Sequence, residues 1–190
     1  MSSSISERSA AARLPEGDVV RLLLLQHARI RELFAEVADA TGEQRKHAFD
    51  ELRALLAVHE AAEELIVRPV AKKTAGKDEA EARNEEEKEA SKVLKELEGM
   101  DVSSPGFVVA LAEFKQAVGD HADHEEREEF PALVMQCSEE QRHTMGARLR
   151  KAEHLAPTHP HPTAAGSPAA LAMTGPFAAM IDKARDAIGH

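Results

Sequence analysis

The residues with the most chemical information in this chain form a pattern that occurs twice, His-x3-Glu-Glu-x4-Pro. The two copies consist of His59, Glu63, Glu64 and Pro69, and of His121, Glu125, Glu126 and Pro131. On a helix, a spacing of four residues places the histidine and the first glutamate on one face, about one turn apart. Imidazole nitrogens and carboxylate oxygens are metal donors. The two pairs therefore predict a metal site built from two helices.

Each pair lies on a stripe of apolar residues with the period of a helix, so both pairs are expected inside the protein. The apolar neighbours are Leu52, Leu55, Leu56 and Ile66 for the first pair and Leu111, Phe114 and Val118 for the second. A buried carboxylate beside a buried imidazole is costly unless a cation or a hydrogen-bond donor compensates it. The repetition favours a metal ion, and the alternative is a polar histidine–glutamate network inside a helical bundle.

One further metal-competent residue precedes each pair. His27 lies on an apolar stripe with Leu24 and Ile30, and Glu87 occupies the matching place in EKEASKVL. A lone histidine on such a stripe is more often a core residue, and Glu87 belongs to the run 85–87, which can be a solvated face. We predict that both complete the site. The predicted metal ligands are then His27, His59, Glu63, Glu87, His121 and Glu125.

Two polar neighbours of the pairs are candidates for proton transfer. Glu60 follows His59 by one residue, about 100° around the helix, so it is a bridging group at most. His124 follows His121 by three residues and is an alternative ligand or a proton shuttle. Otherwise both residues face solvent at the mouth of the bundle.

Apolar periodicity and capping residues predict an all-α fold, a four-helix bundle with an additional C-terminal helix. The predicted helices span 17–40, 43–73 and 77–98, then run from Ser104-Pro105 onwards, and then span 138–153. Pro69 is expected to kink or end the second helix.

The expected organisation has four parts. Residues 1–15 are small and polar and are expected to be flexible. The bundle occupies 16–136 and the additional helix 137–155. Residues 156–190 form a Pro/Ala-rich tail, an extended linker followed by a short helix at 176–188.

The composition and the apolar runs argue against several classes of binding partner and against a membrane-spanning protein. The net charge of −10 argues against nucleic-acid and anionic membrane partners. The apolar run 19–25 contains Arg21 and is too short to span a bilayer. A single cysteine, Cys137, excludes an intramolecular disulfide. Without a signal peptide, the expected location is cytoplasmic. The composition does not identify a protein partner.

The donor set indicates which metal to expect. Because it contains no thiolate, it excludes iron–sulfur clusters and disfavours structural zinc. Carboxylates and imidazoles from four helices are typical of a pair of iron or manganese ions. We expect two non-haem Fe ions, oxo- or hydroxo-bridged, with Mn as the alternative. Glu63 and Glu125 are the expected bridging ligands, and a position open to oxygen, peroxide or water remains.

These residues resemble the haemerythrin-like HHE cation-binding domain family over roughly residues 17–135. The similar segments are QHARIRELF, LLAVHEAAEELIVRP, EEEKEASKVLKEL and HADHEEREEFPAL. The resemblance implies an up-down-up-down four-helix bundle with a non-haem di-iron centre. It also implies a protein that carries or senses oxygen, binds or senses iron or, as in some actinobacterial relatives, breaks down hydrogen peroxide. This chain differs at Glu87, where most relatives carry a histidine.

The carboxylate-rich ligand set favours the ferric state, so we expect redox turnover or iron handling rather than reversible oxygen binding. The expected function is a catalase-like or peroxide-detoxifying activity in which the centre reacts with hydrogen peroxide or a small diatomic gas, O2 or NO. One alternative is a sensor of oxygen, nitric oxide or iron without turnover. The other is a metal-free bundle with polar pairs in its core.

Overall fold

A computed structural model describes residues 3–74 and 77–155, and every regular element among them is helical, as predicted. The helices are α1 (Ser4–Ala11), α2 (Val19–Asp39), α3 (Gly42–Ala62), α4 (Arg68–Thr74), α5 (Lys77–Glu98), α6 (Pro105–His124), α7 (Phe130–Gln136) and α8 (Glu139–Leu155). A π-helical turn at Glu63–Val67 joins α3 to α4, and another at Glu125–Glu129 joins α6 to α7. The predicted linker and last helix, within 156–190, lie outside the described residues.

Local sequence signals explain where the long helices begin. The side chain of Asp18 accepts a hydrogen bond from the backbone N–H of Val20 at 2.9 Å and caps α2. The hydroxyl of Ser104 accepts one from the N–H of Phe107, with Pro105 in the first turn of α6, as predicted. Because the connections are short, α2 with α3 and α5 with α6 form two antiparallel hairpins that pack into the bundle.

The core consists of two apolar clusters with a polar layer between them. The first contains Val20, Leu24, Val58, Ile66, Phe130, Met145 and Leu149, and the second contains Ile30, Phe34, Leu52, Leu94, Phe107 and Phe114. Along α2, Leu24 belongs to the first cluster, Ile30 belongs to the second, and His27 lies between them. The polar layer is therefore enclosed by apolar side chains on both sides.

The prolines of the repeated pattern do not end their helices, so of the two outcomes expected at Pro69, a kink or an end, the second does not occur. A proline lacks an N–H and crowds the carbonyl four residues earlier. In both copies the helix accommodates it by widening just before the proline. The N–H of Arg68 bonds to the carbonyl of Glu63 and that of Phe130 to the carbonyl of Glu125, each five residues back. The wide turns begin at predicted ligands, a common place for π-helical turns.

The N-terminal segment also differs from the flexible chain expected at residues 1–15. Helix α1 packs along α2, and both Ala11 and Glu7 are 1% exposed. The guanidinium of Arg31 joins three elements: its Nε donates to Oε1 of Glu7 at 2.5 Å, and its Nη2 donates to Oδ1 of Asp123 at 2.9 Å. The sequence contains no apolar stripe that predicts this contact, because α1 buries only the small Ala11 and the carboxylate of Glu7.

Helix α8 closes one end of the bundle. Its Met145 and Leu149 belong to the first apolar cluster, and Nε of Arg142 donates to Oδ2 of Asp18 at 2.6 Å. Gly146 lies so close to the loop before α2 that an added Cβ would be 2.0 Å from the carbonyl oxygen of Gly17. Among the described helices, none is long and apolar enough to cross a membrane.

We predict that Arg31→Met destabilises the metal-free protein by about 2–3 kcal/mol, because Glu7 stays buried without its charged donor. The matched control is Arg8→Met, which removes a pair with Glu32 that is largely solvent-exposed. That change should cost less than about 1 kcal/mol. Urea unfolding followed by circular dichroism measures both values. Equal, small losses would mean that α1 does not hold Glu7 against α2.

Candidate metal centre

Five of the six predicted ligands meet in the polar layer and form a closed ring. Oε1 of Glu63 lies 3.3 Å from Nε2 of His59, and Oε2 lies 3.7 Å from Nε2 of His121. Oε1 of Glu125 lies 3.2 Å from Nε2 of His121, and Oε2 lies 3.4 Å from Nε2 of His27. The Nε2 atoms of His27 and His59, 3.2 Å apart, close the ring. Each carboxylate thus lies between two histidines.

Five donor atoms of this ring are buried and lack a hydrogen-bond partner among the described residues. Glu63 and Glu125 are at most 1% exposed. Within the described part of the chain, neither oxygen of either carboxylate has a hydrogen-bond partner, and neither does Nε2 of His121. Polar groups buried in this way are costly. A bound cation would satisfy all of them, so the residues present fit a metal site.

The outward-facing nitrogen of each histidine is held by an oxygen atom. The Nδ1 contacts are His27 with Glu126 at 3.0 Å, His59 with Gln26 at 2.9 Å, and His121 with Glu86 at 2.9 Å. Partners of this kind fix the orientation and tautomer of metal-binding histidines, so that the other nitrogen faces the metal. In all three histidines that nitrogen is Nε2, which faces the ring.

These partners were missed by reasoning from the sequence. Glu126 is the second glutamate of the repeated pattern, and this repetition was the available signal. Its counterpart Glu64 is exposed, so the repeat is not symmetric at this position. Gln26 precedes His27 and gave no signal of its own. Its Nε2 donates to Oε1 of Glu153, which links the centre to α8.

The contribution of α5 differs from the prediction in one respect. Glu87 lies on α5, but its side chain is outside the described part of the structure, so its ligand role stays a prediction. Glu86 is the α5 carboxylate described at the centre. Its Oε2 contacts His121, and its Oε1 lies 3.1 Å from Nδ1 of His124. His124 is not in the ring, and its side chain is 35% exposed.

Without metal, the three histidines of the ring differ in the direction of their pKa shifts. Burial opposes protonation of His27, but the neighbouring carboxylates of Glu125 and Glu126 outweigh it and raise the pKa to about 9. Burial likewise opposes protonation of His121, yet the charge of Glu125 holds its pKa well above the ordinary value. Burial lowers the pKa of His59. Metal binding must therefore displace protons from two of the three histidines.

A buried ion pair lies beside the ring. Nη1 of Arg68 donates to Oε1 of Glu129 in a short hydrogen bond, and its Nη2 lies 3.6 Å from Oε1 of Glu125. Burial raises the pKa of Glu129 to about 7; the charge of Arg68 opposes this rise, whereas those of Glu125 and Glu63 add to it. Arg68 therefore supplies positive charge at the edge of the carboxylate-rich layer.

A cavity of about 320 Å³ connects the centre with the protein surface. His27, His59 and His121 line its inner end together with Glu60. Exposed residues of α6, among them Gln116, line the outer end. A small molecule could therefore reach the histidines from the protein surface by passing along the second apolar cluster.

The fold and this centre define a class of protein, an all-α bundle with a buried histidine–carboxylate cluster that can hold a metal. The family model described as Hemerythrin HHE cation binding domain matches residues 18–133, from the cap of α2 to α7. The chain belongs to this family.

Individual relatives agree with this assignment. A hemerythrin-like protein of Schizosaccharomyces pombe, described as uncharacterized, is 34% identical over 134 residues, 69% of this chain and 66% of that protein. A DNA nickase of a Nostoc species is 23% identical over 152 residues, 80% of this chain and 42% of that protein. This chain therefore spans only part of the length of these two relatives.

A solved structure shows the same fold. It is the crystal structure of a Hemerythrin HHE cation binding domain-containing protein from Mycobacterium kansasii, with a TM-score of 0.65 and 23% identity. The match covers 85% of this chain and 96% of that one.

The Arg68–Glu129 pair predicts a pH dependence in the metal-free protein. Because the folded-state pKa of Glu129, about 7, exceeds the ordinary 4.5, its contribution to stability is complete below pH 4.5 and is lost as the pH rises through 7. Glu129→Gln cannot ionise. Between about pH 5.5 and 8, wild type should lose on the order of 2 kcal/mol more stability than this variant.

Urea unfolding at both pH values measures this difference. The control is Glu128→Gln, which changes the exposed neighbouring residue and should follow wild type. Parallel pH profiles for all three proteins would show that Glu129 titrates alike in the folded and unfolded chains.

Proposed function

We propose that this chain is a non-haem di-iron protein whose centre reacts with hydrogen peroxide. The observation that carries the proposal is the ring, in which two buried carboxylates, with no hydrogen-bond partner among the described residues, lie between three inward-facing histidines. Each carboxylate presents its two oxygens to two different histidines, an arrangement suited to bridging two ions. His27, His59 and His121 would be terminal ligands, with Glu63 and Glu125 as bridges. The same donors suit manganese, the alternative metal.

An iron pair, when bound, supplies the electrons that peroxide chemistry exchanges. The protein contributes access, exclusion of water and protons. The cavity admits the small molecule, and the two apolar clusters keep bulk water from the ring. Glu60 lines the cavity beside His59, where it can donate a proton to a peroxide oxygen.

A second proton route starts at the surface. His124 is partly exposed and contacts one oxygen of Glu86, and the other oxygen contacts Nδ1 of buried His121. A proton can pass from the surface through His124 to Glu86, at the edge of the centre, without a channel of bulk water. Glu86 also holds Nδ1 of His121, which leaves Nε2 of that histidine for the metal. Proton transfer by His124 and Glu60 is therefore part of this proposal.

The ligand set supports redox turnover over reversible oxygen binding. The carboxylates of Glu63 and Glu125 are hard, anionic donors that stabilise the oxidised metal. A protein that removes peroxide would protect the cell against oxidative stress, and the cytoplasm is the location we expect. We infer no nucleic-acid partner from the likeness to the nickase, because the net charge of −10 opposes binding to a phosphate backbone.

A sensor of oxygen, nitric oxide or iron is the second candidate, and one observation favours it. Gln26 contacts His59 with its oxygen and Glu153 of α8 with its nitrogen. A change at His59 can therefore be transmitted to α8, the helix that directly precedes residues 156–190.

The primary test compares two neighbouring isosteric changes. Glu63→Gln removes a predicted bridging ligand, whereas Glu64→Gln changes an exposed residue one position away. We expect about two irons per chain in wild type and in Glu64→Gln, with near-ultraviolet oxo-bridge absorption. Glu63→Gln should lose most of its iron, and with it the oxygen evolution from hydrogen peroxide. Metal analysis, absorption spectra and an oxygen electrode measure these outcomes.

Three results would contradict the proposal. Wild-type protein without metal after iron loading would leave a metal-free bundle with polar pairs in its core. Equal iron contents in the two variants would place the metal elsewhere. Iron binding without peroxide turnover would favour the sensor.

The sensor makes a prediction of its own. If Gln26 transmits the state of the centre, iron loading should slow amide hydrogen exchange in α8, and Gln26→Leu should abolish that difference without removing the iron. Exchange followed by mass spectrometry measures the effect. Equal exchange of α8 with and without iron would count against this route.

A further inference from the structure

We propose that the cavity beside the centre is a binding site for a neutral organic molecule with an apolar body of about eight carbons and one oxygen-bearing end. Its walls come from α2, α3, α5 and α6, with Ser3 and Ser4 at the start of α1. This proposal depends on the proposed function only for the reaction of the bound molecule, because the site would bring an alkyl hydroperoxide, or the corresponding alcohol, to the metal. Binding itself needs the cavity and not the metal.

The size of the cavity is the first argument. At about 30 Å³ for each molecule of liquid water, a volume of 320 Å³ corresponds to roughly ten waters. Hydrogen peroxide or a diatomic gas takes the place of only one or two. An engineered cavity of about 150 Å³ lined by Leu, Ile and Phe stays dry and binds benzene. This cavity is about twice as large and falls within the range of small-molecule sites.

The chemistry of the walls is the second argument. The apolar side chains that line the cavity are Ile30, Phe34, Leu56, Leu94, Phe114 and Val118. All except Val118 are at most 6% exposed, so they belong to the core and present only small parts of their surface to the cavity. Water in contact with these side chains gains few hydrogen bonds, whereas a hydrocarbon chain gains apolar contact with them.

The two ends of the cavity decide the polarity of the ligand. Histidines and Glu60 line the inner end, next to the ring carboxylates of Glu63 and Glu125. Because this end already holds several acidic groups, a neutral oxygen-bearing group is favoured there over a carboxylate. The outer end carries Lys115, Gln116 and Asp120, which are exposed. Arg31 also lines the cavity, but its guanidinium already donates to Glu7 and Asp123. The ligand therefore enters from solvent with its oxygen towards the histidines.

The test uses 1-octanol, a stable member of this ligand class, with the full-length metal-free protein. Val118→Trp fills the cavity from α6. Val109→Trp makes the same change on the same helix at a position that is 61% exposed. Titration calorimetry should show one saturable site in wild type and in Val109→Trp. Val118→Trp should weaken binding by at least about ten-fold, because the ligand loses its apolar contacts.

The introduced tryptophan also serves as a fluorescent reporter of its own position. The chain contains no Trp and no Tyr, so each variant has a single indole. Blue-shifted emission from Val118→Trp, with a wild-type circular dichroism spectrum, would show that the indole occupies the cavity of a folded protein. If that variant does not fold, Phe114→Leu decides the matter, because it enlarges the cavity and should shift the preference from 1-octanol to 1-decanol.

Failure of this proposal and failure of the proposed function give different results. Absence of saturable octanol binding to wild type, or equal binding by Val118→Trp and Val109→Trp, overturns the ligand site and leaves a water-filled access route. If iron is bound and peroxide is consumed in that case, the proposed function stands. Octanol binding that the cavity variants alter, in a protein that takes up no iron, supports the ligand site and overturns the di-iron assignment.

Discussion

Two carboxylates buried in the middle of a helical bundle are the constraint on which the rest of this structure depends. Glu63 and Glu125 lie between two apolar clusters, and neither has a hydrogen-bond partner in the described part of the chain. Their charge must be compensated. Without metal, the raised pKa values of His27 and His121 provide protonated partners. With metal, the same donors can coordinate it, so one set of side chains makes both states tolerable.

The same local helix geometry places these groups in both copies of the repeated pattern. Each histidine and glutamate lie one turn apart, and at the glutamate the helix widens into a π-helical turn. The proline that follows explains the widening, because it can neither donate a hydrogen bond nor tolerate the carbonyl four residues earlier. A residue that looks like a helix breaker therefore shapes the wall of the site while the helix continues to Thr74 and to Gln136.

Elements outside the four long helices extend the centre towards both ends of the chain. From α1, an oxygen of Glu7 lies within 4.8 Å of donor atoms of His27 and Glu126. From α8, Glu153 contacts Gln26, which in turn contacts His59. These contacts add hydrogen-bonding groups around the ring, and such groups orient histidines that bind metals. The centre is consequently coupled to the positions of both peripheral helices.

The sequence by itself determined the all-α fold, most helix limits and the two His–Glu pairs, because apolar periodicity and a spacing of four residues are local properties of a helix. It also selected His27, through its place on the stripe of α2. Only the tertiary structure decided which oxygens hold Nδ1 of His27, His59 and His121. It also decided that α1 buries Glu7. These contacts join residues far apart in the chain, and their polar side chains leave no periodic trace, since what places them is the packing of one helix against another.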